Sequence, residues 1–189
     1  MRQGKLIIIS GPSGVGKKTI LDQIIQDKSL NLHMSISMTT RSPRNNEQNG
    51  KDYFFTNVNN FKDLIAKNNF LEYAIYNNNY YGTPKSFVCD QLASGHNVLL
   101  EIETVGVKKL STFDLPMIKI FIAPPSLQTL KERLIKRNTE SMDVINQRLA
   151  KAQEELKLTN MYDYTVVNDE LNSCIEQIRN IIKKIISND

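Results

Sequence analysis

Short, continuously apolar runs alternate along the chain with longer segments in which apolar residues recur at helical spacing. The runs "KLIIIS", "HNVLLEIE", "MIKIFIA" and "YTVVND" are typical of strands buried on both faces of a parallel sheet. Helical spacing is found in "KKTILDQIIQDK", "PKSFVCDQLAS", "SLQTLKERLIKR", "DVINQRLAKAQEELKL" and "ELNSCIEQIRNIIKKIIS". Because the two patterns alternate, we predict an α/β domain with a mainly parallel sheet.

Two regions interrupt this alternation. Residues 35–83 contain the strand-like pieces "DYFFT", "FLEYAIY" and "NYYG", turns rich in Asn and Gly, and one helix starting near Asn60. They are predicted to form a small β-rich insertion, in which the Asn77–Asn79 run is a turn between strands. Residues 126–160 are charged and helical, with "RNTES" as an interruption. The core is then expected from about 1–34, 84–125 and 161–189.

Composition limits the possible classes of protein. A chain of 189 residues with 40% hydrophobic and 23% charged residues is typical of a soluble globular domain. Its net charge of +4 suits a polyanion, but no RNA-recognition or helix-turn-helix signature is found, so we expect no nucleic-acid partner. The apolar start, 6–9, is too short for a signal peptide or a membrane span, which predicts a cytoplasmic location without a membrane partner. Cys89 and Cys174 lack metal-site spacing and are expected to be reduced core thiols.

The segment "GPSGVGKKT", residues 11–19, fits the phosphate-loop pattern G-x-x-x-x-G-K-[ST] except at its last position. Such a loop directs successive backbone N–H groups at an anion, and the following helix adds its positive end. A strand precedes the segment and a helix follows it, as this motif requires. The loop is therefore predicted to bind a nucleotide through Gly11, Pro12, Ser13, Gly14, Val15, Gly16, Lys17, Lys18 and Thr19, with Lys17 reaching the β- and γ-phosphates.

Lys18 stands where a hydroxyl normally ligates Mg²⁺, and an ammonium group cannot do so. Thr19 lies about 100° further round the helix and is a poor substitute. A metal would then be held mainly by phosphate oxygens, water and a carboxylate. Two hypotheses for Lys18 remain: its ammonium lies beside the β-phosphate, or it points to solvent. The position after Lys17 normally faces the metal side, which favours the first.

A second anion site is indicated in "SMTTRSPR", where Arg41 and Arg44 are three residues apart beside the hydroxyl of Ser37. Guanidinium groups suit phosphate bidentately, although a solvated basic loop is the alternative. Thr83 precedes Pro84 and is also a candidate helix N-cap, with Pro84 at the first helical position. Glu101 and Glu103, two apart at the carboxyl end of a predicted strand, should share one face, and Glu101 is the candidate partner of magnesium through water.

The order and spacing of many segments resemble those of guanylate kinases, the ATP:GMP phosphotransferases. These segments are "GPSGVGK", "TTRSPR", "NGKDYFF", "FLEYA", "NYYGTP", "EIE", "FIAPPS", "RLIKRNTE", "RLAKAQEE" and "VVND", which together cover nearly the whole chain. The resemblance implies a phosphate-loop core, a GMP-binding insertion over 35–83 and a helical lid over 126–160. It also implies ATP and GMP as substrates and Mg²⁺ as the cofactor.

The same resemblance assigns roles to individual residues. The GMP phosphate would be held by Arg41, Arg44, Tyr53 and Tyr81, with Thr83 assisting. The guanine edge would be read by Ser37, Glu72 and Glu103, and Asn168 of "VVND" would belong to the ATP site. Arg133, Arg137 and Arg148 would be lid arginines that join Lys17 and Arg41 in catalysis, although their spacing alone favours an exposed basic helix face.

Three positions depart from the family pattern. They are Lys18, Asn138 where many members have Gly, and Thr104-Val105 where a Gln is common. The function predicted from the sequence is GMP phosphorylation by ATP. The alternative is a related binding module that has lost catalysis, but such modules typically lose the phosphate loop, which here departs at one residue.

Overall fold

The computed structural model describes residues 3–76, 78–110, 113, 115–136 and 141–187. In chain order the strands are β1 (Leu6–Ser10), β2 (Leu32–Met34), β3 (Met38–Thr39), β4 (Phe54–Phe55), β5 (Phe70–Tyr76), β6 (Asn79–Pro84), β7 (Asn97–Glu101), β8 (Met117–Ala123) and β9 (Tyr164–Val167). The helices are α1 (Lys17–Ile24), α2 (Val58–Ala66), α3 (Lys85–Ala93), α4 (Thr104–Leu110), α5 (Leu127–Lys136), α6 (Met142–Leu156) and α7 (Leu171–Ser187).

The four apolar runs form adjacent strands of one parallel sheet, in the order β2-β7-β1-β8-β9. Every residue of β1 is buried, which explains its continuous apolar sequence, since both faces of a parallel sheet are covered by helices. The edge strand β2 was not predicted. It is three residues long and partly exposed, so it carries neither an apolar run nor a clear alternation.

Two apolar clusters cover the faces of this sheet. On one face Ile7 and Ile9 pack with residues of α1 and α7, including Ile20 and Ile178. On the other face the alternate residues of β1 pack with α3 and α4. Cys174 lies in the first cluster, where burial raises the pKa of its thiol to about 11. Because β1 and β7 are adjacent parallel strands, their carboxyl ends lie side by side, and so do the loops that follow them.

The β-rich insertion forms a second sheet in the order β4-β3-β6-β5. Its helix α2 begins at Val58, two residues before the predicted start, and the side chain of Asn57 caps it by accepting from the Asn60 N–H. Asn78 has a left-handed φ of 59° before β6 begins, as expected for a turn, while Asn77 lies outside the described residues.

The charged insertion forms the helical pair α5 and α6, which has a small apolar cluster of its own built on Leu130, Leu134, Ile145 and Ala152. In the part of the chain that the structure describes, no helix is both long and apolar enough to cross a membrane.

Three details of the sequence prediction were wrong. The strand β7 ends at Glu101, so Glu103 lies beyond it, where its carbonyl accepts from the N–H groups of Gly106 and Val107 at the start of α4. Helix α4 itself was not predicted. Thr83 is not an N-cap: it belongs to β6, the cap position is Pro84, and no side chain caps α3 there.

Candidate active site

The phosphate loop connects β1 to α1 and is held in shape from outside. Gly11 has φ +151°, and a Cβ added there would meet the carbonyl oxygen of Ile122 at 2.3 Å, so no other residue fits. Gly16 precedes α1 in the left-handed region at φ 100°. The buried side chain of Asn168 donates from Nδ2 to the carbonyl oxygen of Val15 at 2.7 Å and fixes the loop to the end of β9.

Lys17 closes the loop on itself. Its Nζ donates to the carbonyl oxygens of Gly11 at 2.7 Å and Pro12 at 3.2 Å, and lies 3.9 Å from Oε1 of Glu101. Burial lowers the pKa of Lys17, while the nearby carboxylates of Glu101 and Glu155 oppose that shift. The ammonium is therefore placed over the loop, next to the carboxyl end of β7.

Lys18 points away from the loop. Its Nζ lies 3.2 Å from Oδ2 of Asp22, one turn along α1, and its side chain is 87% exposed. The structure thus agrees with the second hypothesis for this residue and not with the first. Thr19 lines a cavity of about 350 Å³ with Gly16 and Asn168.

Two cavities meet beside the loop. The first, of about 370 Å³, is lined by the loop residues Gly11, Ser13 and Lys17 and by Glu101. The second, of about 610 Å³, lies against the second sheet and is lined by Ser37, Glu72 and Tyr81, among others. The residues common to both are Tyr53, Glu101, Ile102, Glu103 and Lys151. The structure therefore joins a phosphate-loop cavity to a larger one lined by all three residues assigned to the guanine, Ser37, Glu72 and Glu103.

Glu72 lies in the wall of the larger cavity on β5. Its Oε1 accepts a hydrogen bond of 2.7 Å from the hydroxyl of Thr83, which is fully buried on the paired strand β6. Burial raises the pKa of the Glu72 carboxyl, and the Thr83 hydrogen bond and the charge of Lys109 act against that shift. Thr83 therefore orients the Glu72 carboxylate, and this hydrogen bond is the role of the Thr83 hydroxyl in the structure.

The two arginines of the insertion are placed differently from each other. Arg41 forms a bidentate ion pair with Glu47, at 2.9 Å from Nη1 and 2.8 Å from Nη2, and its guanidinium lies 5.4 Å from the ring centroid of Tyr53. The Glu47 carboxylate is the main reason that the pKa of Arg41 is raised. Arg44 is exposed, and its backbone N–H donates to Glu47 at 2.8 Å. Arg41 thus lies behind a cavity residue, whereas Arg44 lines a separate surface depression.

The helical pair contacts the phosphate loop. Arg148 on α6 donates from Nη1 to the hydroxyl of Ser13 at 2.5 Å. Arg133 on α5 donates to the carbonyl oxygen of Asp169 at 3.4 Å and lines the 350 Å³ cavity with Asn168. Arg137 and Asn138 lie outside the described residues.

Sequence reasoning missed three charged residues of the site. Glu47 holds Arg41, Lys151 forms an ion pair of 2.9 Å with Glu103, and Glu155 lines the phosphate-loop cavity. A helical signal for the last two was available, because Arg148, Lys151 and Glu155 recur at spacings of three and four on α6 and so share one face. Glu47 lies in an irregular loop, where no periodic pattern marks its direction.

Known proteins are similar over almost the whole chain. The sequence profile of the family described as guanylate kinase matches residues 3–185. A guanylate kinase of Malacoplasma penetrans (strain HF-2) is 47% identical over 183 residues, which are 96% of this chain and 93% of that protein. One of Porphyromonas gingivalis (strain ATCC BAA-308 / W83) is 44% identical over 185 residues, 97% of this chain and 98% of that protein. A solved guanylate kinase of Anaplasma phagocytophilum has a TM-score of 0.72 and 30% identity, covering 99% of this chain and 88% of its own.

Proposed function

The chain belongs to the guanylate kinase family, and we propose that it transfers the γ-phosphate of ATP to GMP, with ADP and GDP as products. The observation that carries the choice of acceptor is Glu72, a buried carboxylate oriented by Thr83 in a cavity that adjoins the phosphate loop. Guanine presents N1–H and N2–H₂ as donors, which a carboxylate accepts. Adenine presents a bare N1 acceptor, which a carboxylate repels.

The residues around Glu72 support the acceptor site. Ser37 and Glu103 line the same cavity and would complete the contacts to the base. The phosphate of GMP would then extend towards Tyr53 and Tyr81, whose rings lie edge to face at 6.2 Å between centroids. Arg41, which Glu47 holds against Tyr53, would supply the positive charge for that phosphate together with Arg44. Thr83 would assist by orienting Glu72.

ATP would lie on the other side of the loop. The backbone N–H groups of Gly11 and of residues 13–19 would receive its phosphates, as the conformation of the loop favours. The 350 Å³ cavity lined by Arg133 and Asn168 would receive the remainder of the nucleotide. On this assignment the chain divides into a core (about 1–34, 84–125 and 161–189), a GMP-binding region (35–83) and a lid (126–160), which contacts the loop through Arg148 and Ser13.

The donor set fits a magnesium ion that is held mainly by phosphate oxygens and water. The carboxylate of Glu101 lines the phosphate-loop cavity and is partly exposed, so it is able to accept from metal-bound water. Among the described residues no group of three acidic, histidine or cysteine side chains is arranged to hold a metal ion without a nucleotide. When bound, the ion would neutralise charge on the transferred phosphoryl group.

Catalysis by this chain's own residues is positioning and charge stabilisation. The GMP phosphate attacks in line, and the protein forms no covalent bond with it. Lys17 would leave its loop carbonyls for the β- and γ-phosphates, while Arg41 holds the acceptor. Arg148, with Arg133 and Arg137, would close over the transferring group and exclude water, which would otherwise hydrolyse ATP.

A coupled assay of ADP release tests the proposal. We expect release with ATP and GMP, little with AMP or UMP, and almost none without an acceptor. A Lys17→Met variant should lose that activity and serves as the control for contaminating kinases. Equal release with AMP, or release that does not depend on an acceptor, would refute the proposed function. A chain that binds GMP without releasing ADP would instead support the binding-module alternative.

A further inference from the structure

Glu155 is a largely buried acid that lines the phosphate-loop cavity. Its residue is 9% exposed, and it lines the cavity with Lys17 and Glu101. Within the described part of the chain its carboxylate makes no hydrogen bond and has no cation within 4 Å. Burial raises the pKa of this carboxyl, and the charges of Lys151 and Lys17 only partly oppose that shift.

The neighbours that could neutralise Glu155 are directed elsewhere. Lys151, one turn before it on α6, forms its ion pair with Glu103 at 2.9 Å. The ammonium of Lys17 donates to two loop carbonyls, and the carboxylate nearest to it is Glu101 at 3.9 Å. An unpaired buried carboxylate is costly, and phosphates entering this cavity would increase the repulsion. A cation that arrives together with the nucleotide would remove both problems.

The phosphate loop itself points to the same cation. Position 18 has no hydroxyl to offer a metal, and the Lys18 side chain is directed towards Asp22. Mg²⁺ keeps several of its waters in protein sites and is commonly bound through one or two carboxylates and the substrate phosphates. Glu101 and Glu155 are carboxylates from two different elements, β7 and α6, that line one cavity.

We propose that Glu155 accepts hydrogen bonds from the water shell of the magnesium–nucleotide complex, jointly with Glu101, and so connects the lid helix α6 to the metal. The proposal rests on the proposed function, since it assumes that ATP binds with Mg²⁺ at the loop. It makes Glu155 a positioning residue for the metal in a chain whose phosphate loop lacks the hydroxyl ligand.

Calorimetric titration of ADP, with saturating Mg²⁺ and again in EDTA, separates metal binding from nucleotide binding. Glu155→Gln keeps the shape of the side chain and removes its charge. Glu154→Gln is the matched control, because the neighbouring Glu154 is exposed and pairs with Lys157, which follows the last residue of the helix. For Glu155→Gln we expect unchanged or tighter ADP binding in EDTA and a Mg²⁺-dependent gain in affinity that is about tenfold smaller than in the wild type. Glu154→Gln should match the wild type in both titrations.

Three results would overturn the proposal. The first is a loss of ADP affinity in Glu155→Gln that is equal with and without Mg²⁺. The second is a Mg²⁺-dependent gain in ADP affinity that is the same in Glu155→Gln as in the wild type, which includes the case in which neither protein shows a gain. The third is weaker binding of GMP in EDTA, which would assign Glu155 to the acceptor. These titrations do not involve phosphoryl transfer, so their outcome is independent of the ADP-release assay that tests the proposed function.

Discussion

Replacing Glu72 by glutamine should remove the preference for guanine while leaving the fold intact. In the structure Oε1 of Glu72 accepts from the Thr83 hydroxyl at 2.7 Å, and the side chain lines the 610 Å³ cavity. In the variant the amide oxygen takes over the bond from Thr83. The amide nitrogen then faces the cavity and presents donors to the donors of guanine.

The magnitude follows from the exchange of an attraction for a repulsion at one base edge. A well-formed hydrogen-bonded discrimination of this kind is worth roughly 1–3 kcal/mol. Since about 1.4 kcal/mol corresponds to a tenfold change, the ratio of kcat/KM for GMP to that for AMP should fall by about ten- to a hundredfold. The KM for ATP should not change, because the ATP contacts are on the other side of the loop.

The assay is ADP release at varied GMP and AMP, with Glu154→Gln as the surface control. Circular dichroism at matched concentration checks that the variant is folded. A wild-type GMP-to-AMP ratio in the Glu72→Gln protein would refute the assignment. A change confined to the KM for ATP would move Glu72 out of the acceptor site.

The same residue predicts a pH dependence whose sign is set by burial. The pKa of Glu72 is raised above its ordinary 4.5, so the folded state holds the proton more tightly than the unfolded chain does. Ionisation therefore costs stability, a cost that begins near pH 4.5 and is complete above the folded pKa. Only the ionised form accepts from guanine, so GMP affinity should fall as the pH is lowered through that folded pKa. The Glu72→Gln variant should lack this step, and it should be no less stable at pH 7.

Three further predictions concern the loop and the acceptor phosphate. Arg41→Lys keeps the charge but loses the planar guanidinium that binds Glu47 and phosphate through two hydrogen bonds, so the KM for GMP should rise and kcat should fall. An unchanged KM for GMP in initial-rate measurements would contradict this. Lys18→Ser would supply the hydroxyl that the loop lacks at position 18, so activity should require less free Mg²⁺ than in the wild type; superimposable Mg²⁺ titrations would show that position 18 does not face the metal. Asn168→Ala leaves the carbonyl of Val15 without its donor and should lower the free energy of unfolding by about 1–3 kcal/mol. An unchanged midpoint of urea denaturation would argue against Asn168 as the residue that holds the loop.

The core of the fold could be read from the sequence because its information is local. A strand buried on both faces must be almost wholly apolar, and β1 is buried over its whole length and β8 over its second half. The edge strand β9 is buried only at Val166, but it keeps a short apolar run. The predicted α/β class and the resemblance to guanylate kinases are confirmed by the family profile and by the solved relative. The phosphate loop could also be predicted from the sequence, because its glycines, its lysine and its flanking strand and helix lie within one short segment.

What only the tertiary structure decided involves residues far apart in the chain or outside regular elements. Asn168 holds Val15 across 153 positions, and Arg148 contacts Ser13 across 135, distances at which no periodic pattern carries information. The pairing of β5 with β6 gives the hydroxyl of Thr83 to Glu72 instead of to a helix. The physical reason is that side chains far apart in sequence are brought into contact only by the packing of the sheet, the insertion and the helical pair. That packing also determines which charges are paired, as Lys151 is with Glu103.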